Sequence, residues 1–194
     1  MFKTLATLLL CLSSLKGYSQ QPEFSFKELT DQRIATNKRG HKAYGTFVVV
    51  NIIASTGGFI ARPYSTSLFS RPYYMTNAAW GVIQGITVLS AIKRTDNEVN
   101  SDFNSAYENY GNDISRYRSR IYLDIGMMAG GTVLAVFGKN FTVQDIGLAT
   151  ATQGVLLIFL DGIMYASHNA KMMKWAKAMR IHTSANSVGI SYTF

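Results

Sequence analysis

Four apolar runs separated by polar stretches organise the chain: 43–61, 78–92, 121–137 and 146–167. The first holds 19 residues without a charge, enough to cross a bilayer as a helix. Its core, VVVNII, would by itself suit a strand. Its length and the small pair Ala54/Gly58 favour a helix instead. Small and polar residues recur at helical spacing inside the other runs. Asn77, Gln84 and Ala91 fall seven apart with Gly81 and Gly85 beside them, and Gly147, Gly154 and Asp161 repeat that spacing. Such stripes let helices approach closely. The pattern predicts an all-α four-helix bundle embedded in a membrane.

Two stretches echo one another. Asn51 to Gly58 reads NIIASTGG and Asp124 to Gly131 reads DIGMMAGG; Gln84-Gly85 follows the first and Gln153-Gly154 the second. The echo predicts two related helical hairpins. Their packing is expected through Gly57, Gly58, Gly81, Gly85, Gly126, Gly130, Gly131 and Gly154.

The flanks differ in character. Residues 1–19 carry Lys3, an apolar core from Leu5 to Leu12, and small residues at Gly17 and Ser19, the arrangement of a cleaved export signal. Residues 20–42 are polar and basic, with Phe24, Phe26, Leu29 and Ile34 spaced for a short amphipathic helix that Gly40 would end. Between the second and third runs, Gly111-Asn112 marks a break between two short helices. With the bundle at 43–170, residues 171–194 form a basic arm, KMMKWAKAMR, followed by the strand-like alternation of Ser187 to Phe194.

Composition narrows the class. Charged residues are only 15% and hydrophobic residues 47%, where soluble domains carry about 25% charge. The net charge of +8 would fit a polyanion, but behind an export signal it reads as contact with anionic lipid and excludes nucleic acid. The single cysteine, Cys11, lies in the signal, so the remainder has no disulfide and no thiolate site. In a four-span arrangement, fourteen cations after residue 19 share one side, and Arg62, Arg71 and Lys139 occupy the other. The positive-inside rule and a cleaved signal put those fourteen on opposite sides of an inner membrane. The expected location is therefore the bacterial cell-envelope membrane, inner or outer unassigned.

Candidate chemistry is sparse. Asp124 and Asp161 are the only formal charges within the apolar runs, and carboxylates there are costly enough to imply a role. With Asn51, Asn77, Gln84 and Gln153 they could hold an ion or lipid-like ligand; otherwise they form an interhelical hydrogen-bond network neutralised by Arg120 or a proton. His41 and His168 bracket the bundle at one end, but two histidines without further ligands make no metal or haem site. No nucleophile elbow, phosphate loop, zinc-protease or dinucleotide motif is present. No catalytic residue, metal or cofactor is expected.

The stretches YYMTNAAWGVIQGITVLSA, LDIGMMAGG and QGVLLIFLDG resemble an uncharacterised family of small exported bacterial proteins. Its members have four apolar helices, a Met-x-Asn-x-x-Trp step opening the second, an Asp in the third and a Gln-Gly…Asp run in the fourth. Met75, Asn77, Trp80, Asp124, Gln153, Gly154 and Asp161 match; the family's Asn after Trp is here Gly81. The likeness runs from about Ala43 to His168 and implies an envelope location without an activity. Two functions are carried forward: a non-enzymatic accessory partner in an envelope protein complex, and a small carrier or binding bundle built on Asp124 and Asp161.

Overall fold

The computed structural model describes residues 26–62, 68–98 and 102–181, nearly all within four helices: α1 (Phe26–Ala61), α2 (Arg71–Asp96), α3 (Phe103–Phe137) and α4 (Phe141–Ile181). The expected export signal, residues 1–19, and the expected strand-like end, residues 187–194, lie outside the described residues. The expected all-α bundle is what forms. Each helix is long and apolar enough to cross a bilayer. At about 1.5 Å per residue, α1, α3 and α4 also outrun a hydrocarbon core about 30 Å thick. Their surplus lies at one end, giving an apolar half (43–61, 73–92, 121–137 and 146–167) and a polar half.

Gly40 and Gly111 stand where breaks were expected, yet α1 and α3 run through both. Gly40 lies under the Met164 side chain of α4, so its smallness serves a contact. Around Gly111, the buried residues Ala106, Tyr110, Asp113 and Tyr117 recur on one face. That packing outweighs the roughly 1 kcal/mol helix penalty of a glycine.

The start of α2 needs a partner from elsewhere in the chain. Phe69 has a φ of 62°, and the donors that precede the helix point at Asp145, which is fully buried in the first turns of α4. The carboxylate accepts from the Phe69 N–H at 2.8 Å, from the Ser70 N–H at 3.0 Å and from the Ser70 hydroxyl. Donors that an isolated helix end leaves unmet are thus satisfied across the bundle. Asp145 ties the α1–α2 hairpin to α4.

The most extensive interface is α3 against α4, followed by α1 against α2; α2 also packs on α4, and α1 touches α3 and α4 more sparingly. Among the described residues, α2 and α3 do not approach one another. The α3–α4 hairpin closes on glycine. A Cβ at Gly131 would sit 2.7 Å from the Gly147 carbonyl oxygen, and one at Gly154 would sit 2.6 Å from the Met128 nitrogen. In α1–α2, Gly58 meets Tyr74, Gly81 meets Ile52, and Gly85 touches Val48. Gly57, Gly126 and Gly130 do not fill the packing role expected of them: a Cβ there would meet nothing within 4 Å. The Gly126/Gly130 spacing faces outward, because the neighbouring residue Gly131 already turns α3 toward α4.

The apolar half carries its hydrophobic residues on the outside. Ile60, Ile86, Leu89, Leu123, Phe137 and Phe159 are each more than half exposed, while Asn77, Gln84, Asp124, Gln153 and Asp161 are buried. In the polar half the arrangement reverts: Leu29, Ala106, Tyr110 and Trp175 form a buried apolar cluster.

Adjacent glycines on α3 should respond oppositely to the same change. Gly131→Ala should destabilise by about 1–3 kcal/mol through backbone overlap with α4. Gly130→Ala should be neutral or stabilise by up to about 1 kcal/mol through helix propensity. Thermal unfolding of the two variants in detergent checks the sign of each.

Candidate functional site

A hydrogen-bonded chain of amides crosses the interior of the apolar half. Gln153 on α4 donates to Asn51 Oδ1 at 3.2 Å and to Asn77 Oδ1 at 2.6 Å, and accepts from Gln84 Nε2 at 3.1 Å. Asn51 donates to the Asn77 carbonyl at 3.1 Å, and Asn77 to the Tyr73 carbonyl at 3.1 Å. Four of the six polar residues singled out in the sequence thus meet in one network joining α1, α2 and α4. An apolar surround strengthens such bonds and makes any unmet group expensive.

The other two, Asp124 and Asp161, meet one level closer to the polar half. Both line one cavity. Asp161 accepts from the Tyr44 hydroxyl, and Arg120 approaches it at 3.9 Å. Tyr44 escaped the sequence reading; its place in the first turn of an apolar run was the available signal.

Both aspartates face the space left where α2 and α3 stay apart. A cavity of about 270 Å³ lies there, lined by Asp124, Asp161, Gln84, His41, Tyr44 and Arg120 together with the apolar side chains of Ile83, Val88, Leu123, Met127 and Leu157. Asn51, Asn77 and Gln153 stand behind its wall and do not line it. Three residues of the lining each carry a buried polar atom without a hydrogen-bond partner: His41 Nδ1, Gln84 Oε1 and Asp124 Oδ2. They come from α1, α2 and α3. Each such atom costs about 1–3 kcal/mol when left unmet. His41 is held below the usual imidazole range, by burial first and then by the Arg120, Arg94 and Arg116 guanidiniums.

His168 shares that end of the bundle but not that site. It is fully buried, stacks on Tyr117 with ring centroids 5.5 Å apart, and places Nε2 3.0 Å from Asn37 Oδ1. An amide oxygen accepts, so Nε2 carries a hydrogen. Asn37 in turn donates to Asp113 at 2.7 Å, and buried Arg33 bridges Asp113 at 2.8 Å and Glu98. This cluster ties the polar halves of α1, α3 and α4 together. Among the described residues no group of three or more His, Cys, Asp or Glu side chains could hold a metal ion.

The chain belongs to a family of unknown function, DUF6992, which matches residues 43–162. The match covers the apolar half up to residue 162 and every residue of the cavity lining except His41. No curated protein and no solved structure matches the chain.

Burial pushes the His168 imidazole down to about 4; Asp113 opposes the shift, while Lys171, Arg33 and Arg116 add to it. A histidine whose folded value is depressed contributes stability that is complete above the unfolded value near 6.5 and lost as pH falls through 4. The loss should be on the order of 3 kcal/mol. His168→Gln, which keeps a donor for Asn37 but cannot titrate, should remove that share of the acid sensitivity. Denaturant midpoints measured from pH 7 to pH 4 for both proteins give the comparison.

Proposed function

We propose that this member of DUF6992 is a membrane-embedded, non-enzymatic bundle that binds a small cationic or hydrogen-bond-donating guest in the cavity between α2 and α3. A guest here means a monovalent cation or a compact polar molecule that the Gln84 Oε1 and Asp124 carboxyl oxygens can coordinate or accept hydrogen bonds from. Embedding is supported by the outward apolar band and the inward polar network, the reverse of a water-facing helix. In this reading residues 1–19 direct export to the bacterial cell-envelope membrane.

The binding reading is carried by one observation: a single cavity is lined by residues of three helices, His41, Gln84 and Asp124, that each carry a buried polar atom without a hydrogen-bond partner. The accessory-partner reading rests on glycine faces and on the basic, aromatic arm that begins at Lys171. Gly58, Gly81, Gly131 and Gly154 are occupied by contacts within the chain, so those faces serve the bundle itself. The outward Gly57, Gly126 and Gly130 have nothing around them that identifies a partner.

Two measurements bear on this reading. The full-length protein should stay with membranes through alkaline carbonate washing and require detergent for release; release without detergent would refute the embedding. Detergent-solubilised protein, screened by thermal unfolding against sodium, potassium, ammonium and choline at constant ionic strength, should gain roughly 5–10 °C at about 100 times Kd of the accepted cation. The Asp124→Asn/Asp161→Asn protein should show no gain. If no cation raises the wild-type midpoint, and the double variant is the more stable of the two, the carboxyls are structural only.

A further inference from the structure

Above the cavity, toward the polar half, the same gap between α2 and α3 widens into a cleft of about 940 Å³. Two facing stripes line the whole gap. From cleft to cavity the α2 lining includes Arg94, Ser90, Thr87, Gln84 and Ile83, and the α3 lining Arg116, Ser119, Arg120, Leu123, Asp124 and Met127. Gln84 and Asp124 are buried on the inner side, while the exposed edge passes from Arg94 through Ser90 and Thr87 to Ile83, and from Ser119 to Leu123. A phospholipid passes from phosphate to glycerol ester to acyl chain in the same order and over a comparable depth.

The charges of the cleft are unequal. Arg33, Lys93, Arg94 and Arg116 line it against Glu98 and Asp113. Both carboxylates are already engaged, Glu98 by Arg33, and Asp113 by Arg33 and Arg116. Lys93 and Arg94 form no ion pair among the described residues, and both are exposed. Arg94 is held below the usual guanidinium range, by burial first and then by Arg116 across the gap. Two cations so placed await an anion. Arg94 follows the last apolar residue of α2, Ile92, and Arg116 precedes the first apolar run of α3 at Ile121. In a spanning bundle that is the depth of the headgroups.

Lower down, Ile83 and Leu123 line the cavity and are each more than half exposed. The gap thus opens sideways onto the apolar exterior at the depth of acyl chains. We propose that the α2–α3 groove is a binding site for an anionic phospholipid, with its phosphate between Lys93, Arg94 and Arg116 and an acyl chain lying against Ile83 and Leu123. It rests on the membrane-spanning reading but not on a guest in the cavity.

The test uses the full-length protein, stripped of lipid in detergent and offered dioleoylphosphatidylglycerol or dioleoylphosphatidylcholine, with retained lipid read by native mass spectrometry. One phosphatidylglycerol should be retained in preference to phosphatidylcholine. Lys93→Gln or Arg94→Gln should each weaken that preference about fivefold, and together by more than tenfold. Arg118→Gln, an exposed cation outside the cleft, should leave it unchanged. Circular dichroism verifies the fold, and Lys93→Gln alone decides the matter if the Arg94 variants do not fold. Equal retention of the two lipids overturns the proposal, as does a preference insensitive to Lys93 and Arg94. Complete displacement by inorganic phosphate also overturns it, since the cleft would then read a free anion. Protein that washes off membranes in carbonate removes the spanning reading as well, whereas membrane-bound protein without lipid preference removes this site alone.

Discussion

One amide decides where the second helix goes. Gln153 uses its two hydrogens on α1 and α2 and its oxygen on Gln84 of α2, in surroundings where a lost hydrogen bond finds no water to replace it. That holds α2 against α4. Among the described residues α2 stays clear of α3, and the gap lies between them. The cavity and the cationic cleft above it both lie in that gap. Within a membrane few other forces would compete, because hydrocarbon outside the bundle would solvate Leu and Ile as well as another helix would. Close contact then depends on small residues and hydrogen bonds, as in the glycine-lined α3–α4 crossing.

The polar half obeys different rules and does different work. Its core is aromatic and aliphatic, and its buried charges come in compensated groups: Arg33 with Asp113 and Glu98, and Arg116 again with Asp113. Breaking one partner of such a group leaves an uncompensated charge, which costs more than the pair contributes. The arrangement therefore specifies register between α1 and α3 more than it adds stability. It also presents the cations of the cleft at a fixed height above the apolar half. Position here is a product of the polar half, and the chemistry below depends on it.

Much of this was legible in the residues. A polar side chain inside an apolar run must find a partner, and Asn51, Asn77, Gln84, Gln153 and Asp161 all did. Less legible were residues whose role depends on a neighbour distant in sequence. Asp145 looks like an ordinary acidic residue in the first turns of a helix; its value lies in donors at Phe69 and Ser70, brought to it only by folding. Gly40 and Gly111 carried a breaker's propensity that tertiary packing overrode. Gly126 and Gly130 had the right spacing for a contact, but spacing does not say which side of a helix faces its neighbour.

Periodicity and composition by themselves determined that there would be four helices, that their runs would be apolar, and that a small set of amides and carboxyls would need to meet inside. Those properties are local, or nearly so, because helix length and the cost of a buried polar group are set by the chain itself. Tertiary structure alone decided which helices would touch, which glycines would face inward, and that α2 and α3 would stand apart. Those are pairwise outcomes of competing contacts, and no single helix contains the information that settles them.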